Sequence, residues 1–129
     1  MQDKILLGNL PAPLALAYVG DAAHSLYIRK KLVERGIVKS GELNALSLDY
    51  VTAEKQAEAY ERIAGEFTEL ECDMFRSAFN SSHLNKPKRA SGKAYRSATG
   101  FEAVIGMLVW LGREERFFEL MEIAYRETL

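Results

Sequence analysis

The sequence predicts a single all-α domain, and three observations carry that prediction. Only three prolines and nine glycines interrupt the 129 residues, β-branched residues are sparse, and no stretch reads as a convincing strand. A composition of 48% hydrophobic and 27% charged residues is that of a soluble globular chain rather than a disordered one. The length suits one domain, residues 1–129, with a substantial core.

The first helix is expected from about Pro13 to Glu34, with Gly36 ending it as a C-cap glycine would. A second helical region starts after Ser40. It is expected as two segments, Glu42–Leu48 and Thr52–Ala64, because SLDYVT holds the poorest helix formers there. Thr68-Glu69-Leu70-Glu71 fits a capping box, in which hydroxyl and carboxylate each satisfy a free backbone N–H, and opens a helix reaching about Phe79. NSSHLNKPKRASGK then reads as an exposed loop. A long helix follows from Ala94 to about Leu111, stopped by Gly112, and RFFELMEIAYRETL closes the chain as an amphipathic helix. Five to seven helices result.

A single cysteine, Cys72, excludes a disulfide framework and a cysteine-rich zinc site, and points to the reducing cytoplasm. Ile5 to Gly20 is uncharged, but Asn9, Pro11 and Pro13 interrupt it and Asp3 cancels Lys4 ahead of it, so no targeting signal is expected. Phe101 to Leu111 contains Glu102 and is too short to span a bilayer, so no membrane partner is expected. The net charge of −1 conceals an uneven distribution. Met74 to Phe101 holds no acid but carries Arg76, Lys86, Lys88, Arg89, Lys93 and Arg96, which suggests a localised contact with a polyanion.

Two acids stand out. Helical spacing puts Leu14, Ala17, Tyr18 and Asp21 on one stripe, which is otherwise apolar, so Asp21 is expected at the edge of a buried face. A carboxylate there needs hydrogen bonds, a cation or a metal; pairing with an arginine or capping a backbone group is the plainer alternative. Glu102 lies among Phe101, Val104, Ile105, Leu108 and Leu111 in a largely apolar helix. Gly100 and Gly106 in that helix would let another backbone approach closely, at a cost of ~1 kcal/mol each relative to alanine. Two helices, each bringing one acid, could converge on one divalent cation, and oxygen ligands of this kind suit Mg2+.

Tyr18-Val19-Gly20-Asp21-Ala22 followed far downstream by Phe101-Glu102-Ala103-Val104-Ile105-Gly106 resembles the paired motifs of the ribonuclease III catalytic domain. The family's metal-binding acids carry over to Asp21 and Glu102 only. Its further acidic positions are Leu14, Ala17 and Thr99 here. Their loss, in a chain of this length with TAEKQA at residues 52–57 and Asn80 and Pro87 nearer the basic loop, is similar to the Mini-III ribonucleases, which have the catalytic domain and no double-stranded-RNA-binding domain.

That resemblance implies a Mg2+-dependent endonuclease acting on double-stranded RNA as a homodimer. It implies maturation of the 5′ and 3′ ends of the 23S ribosomal RNA precursor, leaving 5′-phosphate and 3′-hydroxyl ends, and leaves open whether a ribosomal protein must shape the RNA. Asp21 and Glu102 would be both metal ligands and catalytic residues. Lys86, Lys88, Arg89, Lys93 and Arg96, with Lys55 from TAEKQA, would meet phosphates of A-form RNA, which is read largely by shape. Among the remaining polar side chains, His24 is read as structural rather than as a ligand, and His83 sits in the loop facing RNA. Cys72 is read as a packing residue. Trp110, Phe117, Phe118 and Tyr125 are read as core or dimer surface, and Leu14, Leu16 and Tyr18 as interface. The rival readings are a non-catalytic RNA-binding module of the same fold serving ribosome assembly, and a helical protein–protein adaptor.

Overall fold

The structure is a computed structural model that describes residues 8–82, 84 and 92–129. Lys86, Lys88, Arg89 and His83, which the sequence places in the basic loop, lie outside these residues. Six α-helices are described: α1 (Pro13–Glu34), α2 (Ser40–Val51), α3 (Ala53–Ile63), α4 (Glu69–Phe79), α5 (Gly92–Trp110) and α6 (Glu114–Tyr125), with one 3-10 turn at Ala64–Glu66. There is no strand among the described residues.

Local chemistry sets most of the boundaries. Pro13 occupies the first turn of α1, where its missing N–H costs nothing, and Gly36 follows the helix at φ 89°, a conformation only glycine takes freely. Gly112, at φ 71°, ends α5 in the same way. The capping box at Thr68 is present: the Thr68 N–H donates to Glu71 Oε1 at 2.9 Å and the Glu71 N–H to Thr68 Oγ1 at 3.2 Å. One expectation fails. The first segment does not stop at Leu48 but runs through SLDYV to Val51, because Leu43, Leu46 and Tyr50 pack against the core and Tyr50 donates to the carbonyl of Thr128 at 2.9 Å. Tertiary packing overrides weak propensity there. The break falls at Thr52, whose hydroxyl accepts from the Lys55 N–H and caps α3.

Helix α5 is the hub. It packs along α1 and against α3, α4 and α6, and every residue from Ser97 to Leu108 is buried except Glu102. Leu16, Ile28, Leu32, Ile63, Met74, Phe101, Ile105, Met107, Leu108, Leu120 and Met121 form the fully buried centre around it. Burial of each large apolar side chain contributes roughly 1.5–3 kcal/mol. At the far side of this core Glu71 is also buried, held by two nitrogens of Arg116 at 2.8 and 2.9 Å in addition to its capping bonds. Among the described residues the core therefore carries its one sealed carboxylate with a full set of partners, as a buried charge requires.

Candidate active site

Helices α1 and α5 meet backbone to backbone. A Cβ built on Gly20 would collide with the carbonyl oxygen of Glu102 and lie 2.9 Å from the Gly106 nitrogen. A Cβ on Gly106 would collide with the Leu16 carbonyl oxygen and lie 2.9 Å from the Gly20 nitrogen. The close approach expected of Gly106 is therefore made with α1. Gly100 serves another purpose, admitting the ring of Phe75, which stacks on Tyr60 with centroids 4.0 Å apart. Because Gly20 precedes Asp21 and packs on the carbonyl of Glu102 itself, the helix crossing sets the spacing of the two acids.

The Asp21 and Glu102 carboxyl groups lie on the wall of one cleft, close enough for the charge of one to act on the other. Burial, reinforced by the negative charge of Asp21, pushes the Glu102 carboxyl up to about 9, against a smaller downward pull from Gln56. Glu102 is half-buried and Asp21 exposed, so the expectation that Asp21 borders a buried face needs correction. Of its stripe only Ala17 is buried, and Tyr18 is 83% exposed. No salt bridge engages Asp21 among the described residues, so the arginine-paired alternative does not hold there.

The two acids open into a cleft of about 340 Å³ whose wall also includes Leu14, Ala17, Tyr18, Leu84, Tyr95 and Thr99. Three of these, Leu14, Ala17 and Thr99, are the positions where the resemblance expects further acids. All three face the same space, and Thr99 turns its hydroxyl back to the carbonyl of Tyr95 at 2.9 Å. Among the described residues no group of three or more histidine, cysteine, aspartate and glutamate side chains could hold a metal. Two carboxyl groups on the wall of an open cleft fit a hard divalent cation that completes its shell with waters and phosphate oxygens. They do not fit a closed zinc site.

His24 is 0% exposed and sealed behind this cleft, in agreement with its structural reading. Its Nδ1 faces Gln56 Nε2 at 3.3 Å and its Nε2 faces Tyr125 Oη at 2.5 Å. An amide nitrogen only donates, so Nδ1 accepts and the imidazole proton sits on Nε2, pointing to Tyr125. Burial pushes this imidazole down to about 4, with Asp21 opposing, so it is neutral at physiological pH. Gln56 is also within 3.4 Å of Glu102 Oε2 and donates to it. The sequence reading passed over Gln56, although a signal was present: it shares the buried face of α3 with Ala59 and Ile63, a polar side chain on an apolar stripe.

The cations are divided. Lys93 is exposed; Lys55 is half-exposed and lies 3.6 Å from Glu58. Arg96 instead ties two helices together, its Nη1 donating to the carbonyls of Phe79 and Ser81 at 2.7 and 3.4 Å. The aromatic group divides as well: Phe117 and Tyr125 are core, while Trp110 and Phe118 are exposed. Leu16, read as interface, is fully buried core; its neighbours Leu14 and Tyr18 remain accessible in the cleft.

Comparison with known proteins agrees with this geometry. A family model of the ribonuclease III domain matches residues 14–112. The chain is 38% identical over 112 residues to a Mini-ribonuclease 3 of Symbiobacterium thermophilum, covering 87% of this chain and 86% of that one. It is 40% identical over 113 residues to a Mini-ribonuclease 3 of Thermoanaerobacter, covering 88% and 80%. A crystal structure of a Fusobacterium nucleatum protein superposes with a TM-score of 0.85 at 28% identity, covering 94% of this chain and 93% of that one.

Proposed function

Because the chain belongs to the ribonuclease III domain family and is an endoribonuclease, we propose that it is a Mg2+-dependent enzyme that cleaves double-stranded RNA at Asp21 and Glu102. One observation carries this reading: the Gly20–Gly106 crossing brings the two acids together on the wall of one open cleft. The bound ion supplies Lewis-acid chemistry, acidifying water and neutralising charge on the scissile phosphate. The chain's own part is to offer two carboxylates from two helices packed backbone to backbone. It also lines the rest of the cleft with Leu14, Ala17, Tyr18 and Tyr95, which compete for no ligand position. With only two acids, the site would leave much of a bound ion's shell to waters and RNA oxygens.

The substrate is the 23S ribosomal RNA precursor in the cytoplasm, a reading supported by the Mini-ribonuclease 3 relatives and, for the compartment, by a chain with a single cysteine. Incubation with a structured precursor RNA in Mg2+ is expected to give products with 5′-phosphate and 3′-hydroxyl ends, and EDTA is expected to abolish them. Binding without cleavage in Mg2+ would favour the non-catalytic module, and no binding would favour the adaptor.

A homodimer is supported by the face of α1 that carries Val19, Ala22 and Leu26. From Pro13 to Ile28 this helix has one charged residue, Asp21, although only one side of it is needed for the core. Leu26 is 61% and Trp110 59% exposed, and Val109 and Phe118 are exposed too. Leu26, Val109 and Phe118 share a largely apolar groove of about 510 Å³ with Val19 and Ala22, with Lys30, Lys31, Glu34, Glu114 and Glu122 also in its wall. A contiguous apolar surface of this kind marks an interface, and a two-fold protein matches a duplex with two strands to cut. Leu26→Glu is expected to halve the mass measured by light scattering; a wild type that already runs as a monomer would sink the dimer.

A further inference from the structure

We propose that Gln56 is a positioning residue that holds the Glu102 carboxylate in its ligating orientation. This inference rests on the metal-site reading above and extends it to a residue outside the cleft wall. Four helices each contribute one member to a single chain of hydrogen bonds: Tyr125 from α6, His24 from α1, Gln56 from α3 and Glu102 from α5. Gln56 is the junction. Its one amide nitrogen carries two N–H groups, and it lies 3.3 Å from His24 Nδ1 and 3.4 Å from Glu102 Oε2.

The direction of the chain follows from what each atom can do. Glu102 Oε2 and His24 Nδ1 both accept, so both amide hydrogens are committed and the side chain has a single favoured rotation. His24 in turn has a single tautomer, with Nε2–H directed at the buried Tyr125 hydroxyl. Its ring is also held edge-on by Phe101, the residue before Glu102, with centroids 5.6 Å apart. The far end is thus anchored in the core, and the only member reaching solvent is the carboxylate. Burying a glutamine and a histidine is costly unless every polar atom is paired, and no buried side-chain nitrogen or oxygen lacks a partner among the described residues. Helix cohesion alone would be served as well by Met or Leu at these positions. What an apolar residue cannot do is donate to the Glu102 carboxylate from within the core.

The test compares Gln56→Met, which keeps the volume and removes both donors, with wild type and Glu102→Gln. Mn2+ affinity is measured calorimetrically without RNA, RNA affinity in EDTA, and cleavage across a Mg2+ titration. Gln56→Met is expected to weaken Mn2+ binding by about 10–100-fold, as loss of a partner behind a metal ligand typically does. RNA affinity should stay unchanged, and excess Mg2+ should restore the rate, a rescue that a merely loosened fold would not show. If Gln56→Met fails to fold, Gln56→Asn takes its place, since the shorter amide stays polar but cannot span both partners. Failure of both to fold would make the amide a structural requirement and overturn the proposal. A folded variant with wild-type Mn2+ affinity, beside a wild type that binds and a Glu102→Gln that does not, would overturn the positioning role alone. A wild type that neither binds Mn2+ nor cleaves would overturn the site and the positioning role together.

Discussion

Glu102→Gln and Asp21→Asn are each expected to lower the rate of RNA cleavage roughly a thousandfold or more, the scale lost when one member of a cooperating catalytic set is removed. Equal cleavage by wild type and both variants would sink the assignment. Stability supplies a second, independent readout with the opposite sign. Burial and Asp21 hold the Glu102 carboxyl at about 9 in the folded protein, against 4.5 for an ordinary glutamate. Between those values the unfolded chain binds fewer protons than the folded one, so stability falls as pH rises. His24 acts the other way. Its imidazole is held at about 4 instead of 6.5, so its contribution is present above pH 6.5 and is lost as pH falls toward 4. The two oppose one another below pH 6.5, and above it only Glu102 remains in play. Thermal unfolding in EDTA should therefore show wild type losing stability from pH 7 to 9. Glu102→Gln should stay flat there and be the more stable protein at the alkaline end, though inactive. Parallel curves for the two would mean that Glu102 does not carry the strain assigned to it.

The acids were legible because a charged residue on an apolar helix violates the pattern around it. Asp21 and Glu102 announced themselves in this way, and Gly106 announced a close approach, whereas the part of Gly20 in it was not legible and Gly100 admits a phenylalanine ring instead. Helix ends were legible where one residue does the work: Pro13, Gly36, Gly112 and the Thr68–Glu71 box stand where local chemistry puts them. The extension of α2 to Val51 was not legible, because the bond from Tyr50 to Thr128 joins residues far apart in the chain. Nor was the assignment of faces on α1. Leu14, Leu16 and Tyr18 look alike in sequence, yet one is half-buried, one is sealed and one is open. A helix with apolar residues on all sides does not say which side meets the core. Gln56 was missed for a different reason: glutamine is uncharged, so its presence on a buried stripe disturbs the pattern less than an acid does.

Gly20→Ala and Gly106→Ala are expected to be the most damaging single-methyl changes in the protein. Adding a methyl to a packed interior typically costs about 1–3 kcal/mol when side chains can shift aside. Here the obstacles are main-chain atoms, the Glu102 and Leu16 carbonyls, which move only if a helix moves. A loss of at least about 3 kcal/mol follows, a fall in Tm of roughly 10 °C or more. Gly100→Ala meets a phenylalanine ring rather than backbone and should cost less. The two severe variants should not add. Each new Cβ would lie near the other glycine's nitrogen, at 2.9 Å in both cases, so one separation of α1 from α5 relieves both clashes. The double variant should be more stable than the sum of the singles predicts, by an amount of the order of 1–3 kcal/mol for coupled neighbours. Full additivity would show that the two positions yield independently and that the helices are not moving as units. Activity separates the local from the global consequence. At a temperature where Gly20→Ala is still fully folded, cleavage should already be impaired, because the atom its methyl strikes is the carbonyl of Glu102 and any retreat carries the carboxylate away from Asp21. Wild-type activity in that folded variant would mean that the acids find their spacing by some means other than the glycine contact.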